Sequence, residues 1–152
     1  MCEGVFFIVR EIRTDFETIV GAVAHGSENE RWFLDAETGR VFLISVDFCD
    51  EELTMNIIKR IKEDPERYIP LPFLSQQDFL EEVRIYSRFL TDNPALAKLL
   101  NEAVEKNYTR AQVKKILNRE PGQGKKFGEF FISRVRERVQ AWLDYKGIKL
   151  VG

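Results

Sequence analysis

The sequence predicts an α+β fold: a small N-terminal β-hairpin unit with flanking helices, followed by a mainly helical C-terminal part. Two strand-forming runs, Trp32–Leu34 and Val41–Ile44, flank a short loop containing Gly39, the pattern of a hairpin. From Ser75 onward apolar residues recur at helical spacing instead of alternating. With 152 residues the chain can bury roughly 70% of its unfolded surface without metal or disulfide staples. Residues 1–152 are therefore expected to form a single domain with sub-regions 1–67 and 73–152.

Taken in order, Val5–Ile12 reads either as a strand or as a buried helical turn. Thr14-x-x-Glu17 has the form of a capping box, and Phe16, Ile19, Val20 and Val23 follow on one face, so a helix is expected to about Ala24. In the hairpin, Asp35 can bond the backbone just ahead of it, Thr38 can support it, and Gly39 can take the left-handed conformation. That accounts for Asp35, Glu37 and Gly39 as a turn without a ligand. Asp50 caps a helix with Leu53, Ile57, Ile58 and Ile61, which stops before Asp64-Pro65. Tyr68–Pro72 must be extended because both prolines fix φ, and it marks the internal boundary.

Ser75–Asp78 starts a helix with Phe79, Leu80, Val83, Tyr86, Phe89 and Leu90 on one side. Asn93-Pro94 starts another, with Leu96, Leu99, Leu100, Ala103 and Val104 inward. Thr109-x-x-Gln112 opens a short helix carrying Val113, Ile116 and Leu117. After Pro121-Gly-Gln-Gly124 a long helix runs from about Lys125 to Lys146 and ends at Gly147. Its apolar stripe is Phe127, Phe131, Val135, Val139 and Trp142.

The order Leu34-Asp35-x-Glu37-Thr38-Gly39-x-Val41, Glu63-Asp64-x-Glu66-Arg67-Tyr68-Ile69-Pro70, then Trp142-Leu143 with Gly147-Ile148, resembles the bacterial group known as uncharacterised protein family 0158. The resemblance covers about Phe16 to Ile148. It implies a shared architecture and carries no activity with it.

Charge is divided along the chain. Up to Ala97 there are 10 Lys/Arg against 19 Asp/Glu, and from Lys98 onward 13 against 6. The basic half either meets an acidic partner or is balanced by the acidic half within the fold. Cys2 and Cys49 belong to no C-x-x-C pair and read as reduced thiols. The apolar run Val5–Val9 is too short for a signal-peptide core or a membrane span, so a soluble, cytoplasmic protein with no membrane association is expected.

Catalytic patterns are sparse. The sole imidazole, His25, stands beside a glycine at a helix end, which leaves a Ser or Cys nucleophile without a convincing base and a zinc ion without enough ligands. Asp47, Asp50, Glu51 and Glu52 match no metal loop and read as a solvated helix start. Pro121–Lys126 lacks the first glycine and the Ser/Thr of a phosphate loop, though a looser anion-binding nest is compatible with it. No catalytic residue, metal ligand or cofactor is assigned.

The stretch "LLNEAVEKNYTRAQVKKILNRE" places Ala103, Asn107 and Val113 where a helix-turn-helix wants a small residue, a left-handed residue and a buried β-branched one. Arg110, Lys114, Lys115 and Arg119 follow, with Lys125 and Lys126 beyond, as candidate contacts to nucleic acid or an acidic protein. An ordinary bundle corner with a solvated basic face is the competing reading. Arg134 and Arg138 form a second cationic group at the edge of the last helix's stripe, suited either to pairing with a carboxylate or to phosphate contact. The sequence thus points to a non-catalytic binding or regulatory protein with an acidic partner, nucleic acid leading. A protein–protein interaction module and a carboxylate- or metal-dependent hydrolase are the alternatives.

Overall fold

The computed structural model describes residues 9–27, 29–45 and 51–152. These fall into two compact units, one reaching to Phe73 and including Arg136–Gly152, the other comprising Leu74–Val135. The elements are α+β: five short strands and six helices among the described residues. No helix among them is long and apolar enough to cross a membrane.

In the first unit β1 (Arg10–Arg13) pairs in parallel with β5 (Ile148–Val151), Ile12 lying opposite Leu150. Ile12 and Ile148 are buried. Gly147, with φ 68°, reverses the chain after the last helix so that β5 can form. Strand β5 goes beyond the elements expected from sequence, because four residues show no reliable period and its partner lies at the other end of the chain.

Helix α1 (Phe16–His25) is capped by Asp15, whose side chain accepts from the Thr18 N–H at 3.1 Å. The expected Thr14 box therefore gives way to a carboxylate one residue later, which also favours the positive end of the helix. Ile19, Val20 and Val23 are buried, each contributing roughly 1.5–3 kcal/mol of transfer free energy.

The hairpin forms as expected: β2 (Glu30–Asp35) and β3 (Val41–Ser45) are antiparallel, with Trp32 opposite Leu43 and Leu34 opposite Val41. Gly39 at φ 76° makes the turn. Helix α2 (Glu51–Glu63) then stops before Asp64-Pro65, with Ile57, Ile58 and Ile61 half-buried but Leu53 exposed. Its expected cap, Asp50, lies outside the described residues. Strand β4 (Tyr68–Pro70) adds to the other edge of β2, giving the order β3-β2-β4. Pro70 is tolerated there because an edge strand has N–H groups that need no ladder partner.

In the second unit α3 (Gln76–Ser87) begins with a complete Ser75/Asp78 capping box. Phe79, Leu80, Val83, Tyr86 and Leu90 are buried, but Phe89 is 67% exposed, since the helix has ended at Ser87 and its phase no longer applies. Helix α4 (Pro94–Glu105) is capped by Asn93 and buries Leu96, Leu100 and Ala103, leaving Leu99 and Val104 less buried than the stripe implied. Helix α5 (Arg110–Leu117) has the predicted Thr109/Gln112 box and buries Val113, Ile116 and Leu117. Helix α6 (Gln123–Lys146) starts two residues earlier than expected; Phe127, Phe131 and Val135 are buried in this unit. Beyond Arg136, in the first unit, the stripe continues through Val139 to Leu143, which replaces the expected Trp142 because the four-residue spacing simply continues.

Candidate functional site

Two polar constellations stand out in the sequence, and the structure uses them differently. The first is the hairpin turn. Asp35 Oδ1 accepts the backbone N–H groups of Glu37 at 3.0 Å and Thr38 at 3.3 Å, and the Thr38 hydroxyl accepts from the Arg40 N–H. Arg67, just ahead of β4, then makes two hydrogen bonds of 3.0 Å to the Asp35 carboxylate and a 3.1 Å ion pair with Glu37. The Arg67 guanidinium holds the Asp35 carboxyl at about 2, down from 3.8, against the opposing effect of burial, with the Glu37 and Thr38 N–H groups assisting. Asp35 in turn raises Arg67 above its usual range. The polar groups that give this turn its promise are occupied by the chain itself. Gly39 is required twice over, by its positive φ and because a Cβ there would sit 1.9 Å from the Arg13 carbonyl oxygen.

The second constellation is the basic stretch of the helical unit. Helix α4 closes with the left-handed Asn107, φ 55°. The Tyr108 N–H donates to the Ala103 carbonyl at 2.9 Å and the Asn107 N–H to that of Val104 at 3.2 Å, a paired C-terminal closure with asparagine in the glycine position. The Gln76 amide donates to the Tyr108 carbonyl, fixing the turn against the start of α3. Ala103 and Val113 are fully buried on either side of this corner. The α4–turn–α5 corner therefore carries a small buried residue, a left-handed asparagine and a buried β-branched residue at the expected positions.

Of the six cations Arg110, Lys114, Lys115, Arg119, Lys125 and Lys126, three (Arg110, Lys114 and Lys125) line one groove of about 310 Å³. Arg110 is half-buried, its guanidinium 5.0 Å from the Phe79 ring centroid and 5.7 Å from that of Phe131. Burial lowers its pKa, but a guanidinium remains charged at neutral pH. Lys114 and Lys125 are exposed. Phe79, Val113, Leu117 and Phe127 supply the apolar interior, and Asn118 and Gly124 complete the lining. None of the nine lining residues is a carboxylate. Lys115, Arg119 and Lys126 are exposed but do not line the groove. The apolar lining residues come from three helices and read individually as core, so only Gly124 carries any local signal of a close approach.

Two larger cavities are electrostatically mixed. One of about 500 Å³ in the first unit includes Asp144 and Lys149; another of about 550 Å³ in the second includes Lys98, Glu102 and Glu105. Of these three cavities, the groove combines several cations with an apolar interior and no acidic wall.

The second cationic group divides. Arg134 bonds Glu82 at 2.7 Å, and Glu82 is only 1% exposed, so this arginine neutralises a buried carboxylate. Arg138 is exposed. The neighbouring Arg136, which no sequence pattern distinguishes, pairs with Glu17 at 2.9 Å. His25 is exposed at the end of α1. Of the acidic cluster, Asp47 and Asp50 lie outside the described residues and Glu52 is exposed on α2. Cys2 and Cys49 also lie outside the described residues.

Comparison with curated proteins and with solved structures finds no match. A sequence model of one family matches residues 10–152, nearly the whole chain. The three motifs whose order gives the resemblance converge on the Asp35–Arg67 pair and on the Gly147–Ile148 turn into β5, and with that match the chain belongs to the Uncharacterised protein family (UPF0158).

Proposed function

We propose that the chain is a cytoplasmic, non-catalytic binding or regulatory protein whose basic α5–α6 surface receives an acidic partner, nucleic acid being the partner favoured. The observation that carries this reading is the groove lining, three cations and no carboxylate around an apolar interior. A lining rich in cations attracts polyanions, and the gain comes largely from released counterions. The left-handed Asn107 corner supports the same reading, since it fixes the direction of α5 and so the presentation of Lys114 and Lys115.

Fluorescence anisotropy with labelled single-stranded and duplex oligonucleotides in a salt series tests it. Log affinity should fall linearly with log salt concentration, and Lys114→Glu with Lys115→Glu should weaken binding and reduce the slope by about one for each phosphate no longer neutralised. Absence of binding to either form at low salt removes this function. Retention of binding to an acidic protein in that case would favour an interaction module.

A further inference from the structure

Resting on the binding role just proposed, we infer that the groove takes one unpaired nucleotide, its base entering between α5 and α6 and its phosphate held at the rim by Lys114 and Lys125. A phosphate alone has no use for an apolar interior, and an apolar ligand alone has no use for two lysines at the rim. The lining supplies both, in layers. Phe79, Val113, Leu117 and Phe127 are each at most 7% exposed and form the depth of the groove, whereas Lys114 and Lys125 are exposed and stand on different helices.

Arg110 bridges the layers. Its guanidinium lies over the Phe79 and Phe131 rings, and a planar guanidinium is a stacking surface for bases as well as a cation. Asn118 contributes an amide able to pair with a base edge. It can approach the start of α6 because residue 124 is glycine: a Cβ there would lie 2.8 Å from Asn118 Oδ1.

The volume sets the size of the occupant. About 310 Å³ is at the lower end of small-ligand cavities, roughly 300–1,000 Å³, and suits one nucleotide better than a helix or a duplex edge. A base within a duplex is already stacked and paired, so entering the groove would require extruding it. Single strands should therefore be preferred.

The test uses the full chain and five probes: a short single strand, its duplex, an abasic strand of equal length, a mononucleotide and inorganic phosphate. The intact strand should bind roughly tenfold or more tightly than the duplex or the abasic strand. The mononucleotide should shift the amide resonances of Val113, Leu117, Gly124 and Phe127 at concentrations where phosphate does not. Lys114→Gln with Lys125→Gln, both at exposed positions, should weaken the strand and the mononucleotide together. Competition of the strand by the mononucleotide identifies a free nucleotide as sufficient; strand binding without it assigns the nucleotide to a chain. Equal binding of intact, abasic and duplex forms, or phosphate acting as well as the mononucleotide, overturns the inference while leaving the broader binding role intact. Failure of every nucleic acid at low salt overturns both.

Discussion

The acidic hairpin turn in the first unit and the basic groove in the second are both dense in charge, yet the residues around those charges differ. In the turn, Asp35 is engaged by two backbone N–H groups and by Arg67, so its charge serves to close the fold. In the groove, three cations from two helices line a cavity without any carboxylate among its walls. A dense run of polar residues is therefore a poor guide to a ligand. What separates the two regions is the make-up of their walls: a carboxylate and a guanidinium meet in the turn, whereas the lining of the groove holds cations and apolar residues.

Substitutions put this contrast to the test. The largest effect is expected at Gly39→Ala, where a methyl group would meet the Arg13 backbone oxygen and the positive φ would be strained; a loss of about 3 kcal/mol or more should appear in denaturant unfolding. A mild outcome would mean the turn is looser than its geometry. Arg134→Met should cost about 3 kcal/mol by removing the guanidinium that pairs with buried Glu82, and adding Glu82→Leu should restore part of it in a double-mutant cycle. If the double variant recovers nothing, Arg134 acts through its other contacts.

Asp35 provides a pH signature of the first region. Its carboxyl titrates lower in the folded chain than in the unfolded one, so its contribution, on the order of 2 kcal/mol, is complete above pH 3.8. It should fade as pH falls from there through about 2, and Asp35→Asn should flatten the stability curve over that window. The smallest effect on stability belongs to the exposed lysines of α5. Lys114→Glu with Lys115→Glu should lower unfolding free energy by only about 1 kcal/mol, because both charges lie in the last turn of α5, although it weakens polyanion binding. A loss well beyond that would assign these lysines to the fold, as in the turn, and erase the distinction.

Local signals are legible where the cause is local. The Thr109 and Ser75 boxes, Pro94 after Asn93, and the left-handed Gly39 and Asn107 all rest on interactions within a few residues, and each occurs in the structure. Sequence and structure part where a phase is carried past a helix end, as at Phe89, or where neighbouring residues compete for one cap, as at Thr14 and Asp15. The charge split is visible too, but its meaning is not: Arg134 and Arg136 are basic residues of the late half that pair with Glu82 and Glu17 from the early half, whereas Lys114 and Lys125 line the groove.

The helices, the hairpin and its closing turn are written in the sequence, because periodicity, caps and turn chemistry act over one or two turns of chain. That β1 pairs with β5, that Arg67 locks Asp35, and that Phe79, Arg110 and Lys125 share a cavity emerges only in the folded chain. Those outcomes join residues far apart along the chain, and loop closure leaves no trace in local composition. Only the completed packing can determine which charges pair with a distant carboxylate and which line a groove.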